Sequence, residues 1–366
     1  MDDRVLLISS IYPPQVGGPA IFTYRFNNWL LENNITKDVL SYTNDNSSSG
    51  KNIDLVSLKP NRLISFLKFI YKIKKYSDND TLILSNGAFV ETYLACLLTK
   101  RKYVVKIPGD QVWEFSKNRR WTSSSIEEFQ NEKLNGFQLI LRRVLNSAFK
   151  NAKLVIVPSR QLAQFAKNWG VKNDKIMLIY NCVDPNQFKN QNSKKIEYDI
   201  ITVCRLIPLK GLEELINCAT QLRLKLAIIG DGPLMIHLKN ISSGVSPKVD
   251  FLGNIENHKV GELLNASRIF VLNSESEATS YALIEAKMAG LPVIAKENDG
   301  SATVIRNNTD GFLVGPDSEN NLINSITKLM SDEQLRIKFG NEARQDALNR
   351  FNQETIFLKI FNELKK

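Results

Sequence analysis

The sequence predicts an α/β protein of two Rossmann-like domains, each a parallel sheet covered by helices, facing each other across a cleft. Three observations carry this. Short, continuous apolar runs alternate with helical stretches from end to end, the pattern of parallel strands buried on both faces. The alternation breaks in the segment 182–197, rich in Asn, Lys and Gln, and then restarts. The length, 366 residues, suits two domains rather than one.

In chain order, VLLIS (Val5–Ser9) is the first strand. The Gly/Pro loop YPPQVGGPA follows, then a helix from about Ile21 to Asn33. DVLSYT, IDLVSL, TLILSN and YVVKI are further strands, and LVIVPS (Leu154–Ser159) and IMLIY (Ile176–Tyr180) close the first half. Beyond the linker come DIITVC (Asp199–Cys204), LAIIG (Leu226–Gly230), VDFLG, RIFVLN and PVIA. Helices are expected at Gly211–Leu222, Tyr281–Ala289 and Asn320–Met330. A last helix, Asn352–Lys366, is expected to pack back on the first domain. The domains are placed at 1–184 and 185–351, and NSSSG (Asn46–Gly50) reads as a loop tip.

Composition excludes several classes. With 43% hydrophobic and 23% charged residues, the chain can fill two cores and is not disordered. Four cysteines, Cys96, Cys182, Cys204 and Cys218, without a CxxC pair make no disulfide scaffold. No apolar run reaches the roughly 18 residues of a membrane span. The start, MDDRVLLISS, is acidic with a short apolar run and does not read as a signal peptide. A reduced, cytoplasmic setting is expected.

Net charge is +10, and residues 1–184 carry all of it: 26 Lys+Arg against 16 Asp+Glu, with 22 against 22 in the remainder. A one-sided excess predicts an anionic partner: membrane surface, nucleic acid or phosphorylated substrate. No nucleic-acid recognition motif accompanies it, so nucleic acid is set aside. PNRLISFLKFIYKIKKY (Pro60–Tyr76) holds Arg62, Lys68, Lys72, Lys74 and Lys75 and no acid. Leu63, Phe66, Leu67 and Ile70 recur at helical spacing, and Phe69, Tyr71 and Ile73 widen the apolar face. Such a helix either lies in an anionic membrane interface or packs on the core with a solvated lysine face. A second basic cluster, Lys100–Lys106 with Lys117, Arg119 and Arg120, is either an acceptor contact or a soluble surface.

Three segments carry chemistry. Gly17 and Gly18 stand between a strand and a helix, where backbone N–H groups can approach a phosphate; a tight turn explains them equally well. The spacing is not GxGxxG, which disfavours a nicotinamide site. RLIPLKG puts Arg205 and Lys210 just past a strand, where open α/β sheets bind ligands and where Arg can fork onto phosphate. In SESEATSYALIEAKMAGLPVIA, Glu277 sits in a loop and Glu285 in the following helix. A helical carboxylate there can accept both hydroxyls of a ribose, and the helix start at Ser280, Tyr281 and Ala282 favours a diphosphate. Asp78-Asn79-Asp80 reads as DxD, but it lies in a polar break and is expected to be a surface turn.

Taken in order, YPPQVGG, VPSRQLAQFAKNWGV, KIMLIYNCVDPNQF, RLIPLKG, IIGDGPL and Glu277-x7-Glu285 with MAGLPVIA resemble the retaining glycosyltransferases of family 4, over nearly the whole chain. The resemblance implies the GT-B fold, with an acceptor-binding first domain and a donor-binding second. It implies Gly17 and Gly18 near the donor phosphate, Arg205 and Lys210 on the leaving diphosphate, Glu285 on the ribose and Glu277 on the donor sugar. Gly230, Asp231 and Gly232 match a turn near the nucleotide. The partners implied are a nucleotide-sugar donor and a lipid-linked or polysaccharide-precursor acceptor, with no cofactor and no metal. That would place the protein peripherally on the cytoplasmic membrane face.

The chain departs from the pattern in three places. Its only histidines are His237 and His258, so the N-domain His of many relatives is missing. KIPGDQVWE (Lys106–Glu114) occupies that stretch, and Asp110 is expected in its place, a capping or turn Asp after Gly109 being the alternative. Asn181-Cys182-Val183-Asp184 replaces an Asn-Gly-Val-Asp turn, and Ala278-Thr279 replaces Gly-Phe. Two other readings share the architecture: a non-hydrolysing nucleotide-sugar epimerase, which the absence of His from the first half disfavours, and a non-catalytic binding module.

Overall fold

A computed structural model describes residues 4–15, 17–44, 52–59, 61–188, 195–315 and 318–366. NSSSG, Val16 and Pro60 lie outside these residues. The chain divides into two compact units, Met1–Ile179 with Glu354–Lys366, and Tyr180–Gln353. The division falls after Ile179 rather than after Asp184, and after Gln353 rather than 351. The reason is local. Val183 donates its N–H to Phe351 O at 3.0 Å and accepts from Gln353 N–H at 3.0 Å, tying the turn to the second unit.

The first unit holds seven parallel strands: β1 Arg4–Ser9, β2 Thr36–Thr43, β3 Ile53–Ser57, β4 Thr81–Asn86, β5 Val104–Lys106, β6 Leu154–Val157 and β7 Ile176–Leu178. Their order is β3-β2-β1-β4-β5-β6-β7, reversing between β1 and β4. Buried runs such as VLLI in β1 give near-continuous apolar strands because helices cover both faces. The helices Arg62–Tyr76, Phe89–Thr99 and Gly136–Asn151 pack side by side in that order. The helix Gly18–Glu32 packs Phe22, Phe26 and Trp29 edge-on against Phe357 of the last helix, Gln353–Lys365. Trp29 also donates its indole N–H to Glu354 at 2.6 Å. Right-handed crossovers place these two sets of helices on opposite faces of the sheet.

The second unit holds six parallel strands: β8 Tyr198–Val203, β9 Leu226–Ile229, β10 Asp250–Gly253, β11 Ser267–Leu272, β12 Val293–Lys296 and β13 Gly311–Val314. Their order is β10-β9-β8-β11-β12-β13, reversing between β8 and β11. Two apolar clusters sandwich this sheet, one around Phe270, Leu283 and Phe351, the other around Leu215, Val271 and Phe339. Two of the elements that the sequence expectations do not name show why they go unnamed. β13 is only four residues long. The helix Glu333–Arg350 buries Phe339, Gly340, Ala343, Asp346 and Ala347, a face too poor in large apolar residues to mark a helical period. Among the described residues no helix is long and apolar enough to cross a membrane.

Candidate active site

In the second unit the strand order reverses between β8 and β11, and ligands of open α/β sheets bind beyond the strand ends at such a point. The loops after these two strands bring together residues far apart in sequence. Lys210 Nζ donates to Glu277 Oε1 at 2.5 Å and to Ser274 Oγ at 3.2 Å. Both partners of the ion pair keep part of their side chains exposed, 17% for Lys210 and 13% for Glu277. The pair is therefore open to a ligand on one side. Glu275 N–H binds Leu209 O at 2.9 Å and locks the two loops together. Arg205, on the same loop as Lys210, is exposed and has no side-chain partner among the described residues. It supplies an unneutralised guanidinium on the loop that carries Lys210.

The loop carrying Arg205 is supported from below by Gly230, Asp231 and Gly232. A Cβ on Gly230 would lie 2.0 Å from Cys204 O, so only glycine permits the approach. Asp231 O accepts from Leu206 N–H at 3.0 Å. These contacts assign the turn a structural function: it shapes the Arg205 loop. Burial pushes the neighbouring Cys204 thiol up to about 11, which leaves it protonated and a poor nucleophile.

Ser280 caps the helix Tyr281–Met288, accepting from Leu283 N–H at 3.5 Å. Asn181 Nδ2 donates to Thr279 O at 2.8 Å and pins the start of that helix. Glu285 is half-buried on it, as are Tyr281 and Ala282. The opposite side is held by Lys287, which sequence reasoning missed. Its ammonium is fully buried, 3.0 Å from Asp310 Oδ2, 2.5 Å from Asp346 Oδ2 and 2.7 Å from Val304 O. Burial lowers the Lys287 pKa, while the two carboxylates oppose that shift. Burial alone would raise Asp346, but Arg350 and Lys287 hold it below its ordinary value. Asn273 was also missed; its amide joins Gly211 O at 3.1 Å to Glu214 Oε2 at 2.7 Å beneath the Lys210 loop. A lysine flanked by Ala286 and Met288 in an apolar helix was the available signal for the first. The second had none.

The first unit holds the remaining predicted residues. Gly17 precedes the helix Gly18–Glu32 as its N-cap with no side-chain cap bond. A Cβ on Gly17 would meet Ile11 at 2.8 Å, whereas Gly18 faces open space. Asp110 was expected to reach the reacting sugar. Its side chain instead caps the helix Gln111–Asn118, accepting from Val112 N–H at 3.0 Å and Trp113 N–H at 3.2 Å. Gln130 Nε2 at 2.9 Å and Arg142 Nη2 at 2.6 Å take its other oxygen. With its side chain wholly buried and both oxygens engaged, this carboxylate is closed to a ligand. Glu114, one turn on, keeps contact with solvent while protein crowds around it, and that crowding, with the Asp110 charge second, pushes its carboxyl up to about 7.

Of the basic residues, Arg62, Lys68, Lys74 and Lys75 are exposed, as are Arg119 and Arg120. Lys72 is not part of a free lysine face; it pairs with Asp54, which also accepts from Tyr76 at 2.9 Å. Arg119 stacks 3.7 Å from the Phe115 ring centroid. Asp78 pairs with Arg4 at 2.8 Å at the N-terminal end of β4. Among the described residues no group of three or more His, Cys, Asp or Glu could hold a metal ion.

The family model described as "Glycosyl transferases group 1" matches residues 183–346, and the one described as "Glycosyltransferase Family 4" matches residues 16–187. The chain is similar to the N,N'-diacetylbacillosaminyl-diphospho-undecaprenol alpha-1,3-N-acetylgalactosaminyltransferase of Campylobacter jejuni, 27% identical over 260 residues, covering 65% of this chain and 67% of that one. It is 33% identical over 126 residues to the UDP-Gal:alpha-D-GlcNAc-diphosphoundecaprenol alpha-1,3-galactosyltransferase of Escherichia coli, covering 34% of this chain and 32% of that one. The second match thus spans about a third of that relative. Among solved structures, HepE of Anabaena in complex with UDP and glucose aligns with a TM-score of 0.78 at 19% identity, covering 99% of each chain, a likeness of fold.

Proposed function

The chain belongs to the family 4, group 1 glycosyltransferases, with two Rossmann-like domains of the GT-B fold, and on that premise we propose that it moves a sugar from a nucleoside diphosphate to a lipid-linked or polysaccharide-precursor acceptor, with retention at the anomeric carbon. The observation that carries this reading is the partly exposed Lys210–Glu277 pair, with Arg205 on the same loop as Lys210, at the switch point of the second sheet.

In the proposed step the bond from the anomeric carbon to the diphosphate oxygen breaks and a bond to the acceptor hydroxyl oxygen forms. The transition state is oxocarbenium-like. Charge develops on the departing diphosphate, where the Arg205 fork and the Lys210 ammonium stabilise it. The acceptor hydroxyl proton passes to the leaving phosphate, so no protein nucleophile is required. Glu277, released from Lys210 as the phosphate arrives, accepts sugar hydroxyls. Glu285 accepts the ribose hydroxyls. Side-chain cations supply the positive charge in this scheme, and we assign no metal or cofactor.

The Campylobacter and Escherichia relatives are named for sugars carried on diphospho-undecaprenol, which supports an acceptor of that class. The first unit, with 29 Lys+Arg against 17 Asp+Glu, suits such an anionic acceptor; the second has 19 against 21. A peripheral position on the cytoplasmic membrane face follows as part of the proposal.

A donor panel tests it. Purified protein is incubated with UDP-, GDP-, ADP- and dTDP-sugars, with and without a cell lipid extract, and free nucleoside diphosphate is measured. Release from one donor, enhanced by lipid, is expected. Epimerised donor without acceptor, or calorimetric binding of nucleotide without any release, would overturn the transferase assignment.

A further inference from the structure

One face of the first unit is built unlike any other surface of the molecule. On the helix Arg62–Tyr76 the core takes Ser65, Phe69 and Ile73, while Leu63, Leu67 and Tyr71 point outward. Next to it, Leu97 and Leu98 stand out from the end of the helix Phe89–Thr99. On the third neighbour, Gly136–Asn151, Ile140 does the same, and Phe137 is exposed on one side while its ring packs on Phe115 and Trp121. Each of these side chains is more than half exposed, up to 72% at Leu98. Among the described residues of the second unit the exposed large apolar ones are four scattered isoleucines, Ile196, Ile236, Ile241 and Ile337. Scattered single residues are ordinary; three adjacent helices exposing apolar side chains together are not.

Within the three helices the exposed charge has one sign, although the exposed Asp78 and Asp80 follow the first of them. RLISFLKFIYKIKKY and GFQLILRRVLNSAFKN contain no acid at all. The single acid of FVETYLACLLT, Glu91, turns inward to the Tyr42 hydroxyl at 2.9 Å. The exposed cations Lys68, Lys74, Lys75, Lys100, Lys102 and Arg143 are interleaved with the apolar residues. Leucine and aromatic side chains between long basic ones are what an anionic lipid interface accepts: rings and methyls enter the acyl boundary while the cations stay at the phosphates. A protein partner or second copy would normally find carboxylates here to pair its own lysines and arginines.

We propose that this three-helix face of the first unit docks on the surface of an anionic bilayer. This rests on the reading of the acceptor as lipid-linked, and it extends the single basic helix seen in the sequence to a surface spread over three elements. Docking holds the first unit where a lipid-anchored acceptor presents its head group.

Vesicle flotation of the full chain tests it. One set of vesicles is phosphatidylethanolamine with a quarter phosphatidylglycerol; the other is phosphatidylcholine alone. The protein is expected to float with the first set only, and less so at high salt. Leu67→Glu, Leu98→Glu and Ile140→Glu lie on exposed positions that leave the core intact, and each is expected to weaken flotation by about tenfold. Ile236→Glu in the second unit is expected to change nothing. Nucleoside diphosphate release in detergent, with a soluble acceptor, is expected to persist in all four variants, which separates this surface from the transfer reaction itself. If release fails in the wild type while flotation behaves as expected, the transferase reading falls and the surface stands. Flotation that ignores all three variants, no flotation at all, or variants that instead convert a dimer to a monomer in gel filtration would overturn the proposal.

Discussion

Each unit holds a carboxylate–cation pair beyond the C-terminal ends of a parallel sheet, and the two differ in what surrounds them. Asp110 and Arg142 are 2.6 Å apart, Glu277 and Lys210 2.5 Å. By distance they are equivalent. Asp110, however, also receives two backbone N–H groups and the Gln130 amide, and its side chain is wholly buried. Among the described residues Glu277 has Lys210 alone as an ion-pair partner, and part of its side chain stays exposed. A carboxylate whose oxygens are all satisfied stabilises a loop. One with a single exchangeable partner can hand that partner to an incoming phosphate.

The largest expected effect is on stability. Removing one member of a buried ion pair typically costs about 3–5 kcal/mol, and losing a helix cap adds about 1. Asp110→Ala should therefore lower Tm strongly in calorimetry. Turnover per folded molecule should stay within about threefold of wild type. A variant with unchanged Tm and collapsed kcat would erase the contrast between the two pairs and restore Asp110 to the chemistry. Next in size, Arg205→Ala or Lys210→Ala should lower kcat by about 10²-fold, the scale of losing one oxyanion-type donor. Arg205→Ala in particular should leave Tm nearly unchanged, since the side chain has no described partner to lose. Unaltered turnover in both variants would remove the second pair from the mechanism.

The smallest effect concerns Glu114, whose carboxyl is pushed up to about 7 by desolvation first and the Asp110 charge second. The folded state then binds this proton more tightly than the unfolded chain. The resulting stabilisation is complete below the ordinary carboxyl range and is lost as pH rises through about 7. Glu114→Gln should flatten the Tm-against-pH profile between pH 5 and 8 by about a degree, the side chain being exposed and screened. Superimposable profiles would show that Asp110 does not burden its neighbour.

Much of the fold was legible because parallel strands buried on both faces leave unbroken apolar runs: VLLIS, LVIVPS and RIFVLN all lie on strands. β13 and the helix Glu333–Arg350 were not, since a four-residue strand and a face of Gly340, Ala343 and Ala347 carry little pattern. The site was legible as residues but not as pairs. Lys210 and Glu277 are 67 positions apart, and only the strand order places their loops side by side. Asp110 was visible as a carboxylate after Gly109, while the groups that close it off, Gln130 and Arg142, come 20 and 32 residues later. Lys287 could be seen as a charge in an apolar helix, but Asp310 and Asp346, which explain it, are distant in sequence.

The last helix has a consequence for how the protein is made. Phe357 and Glu354 complete the packing of Phe22, Phe26 and Trp29, yet the whole of the second unit is translated between them. At about 5–20 residues per second, a nascent first unit waits roughly 10–35 seconds for the segment that covers its aromatic cluster. The second unit, continuous in sequence, meets no such delay. A released chain ending at Gln353 is therefore expected to hold a complete second unit beside a first whose aromatic cluster is uncovered, the form that a chaperone would bind.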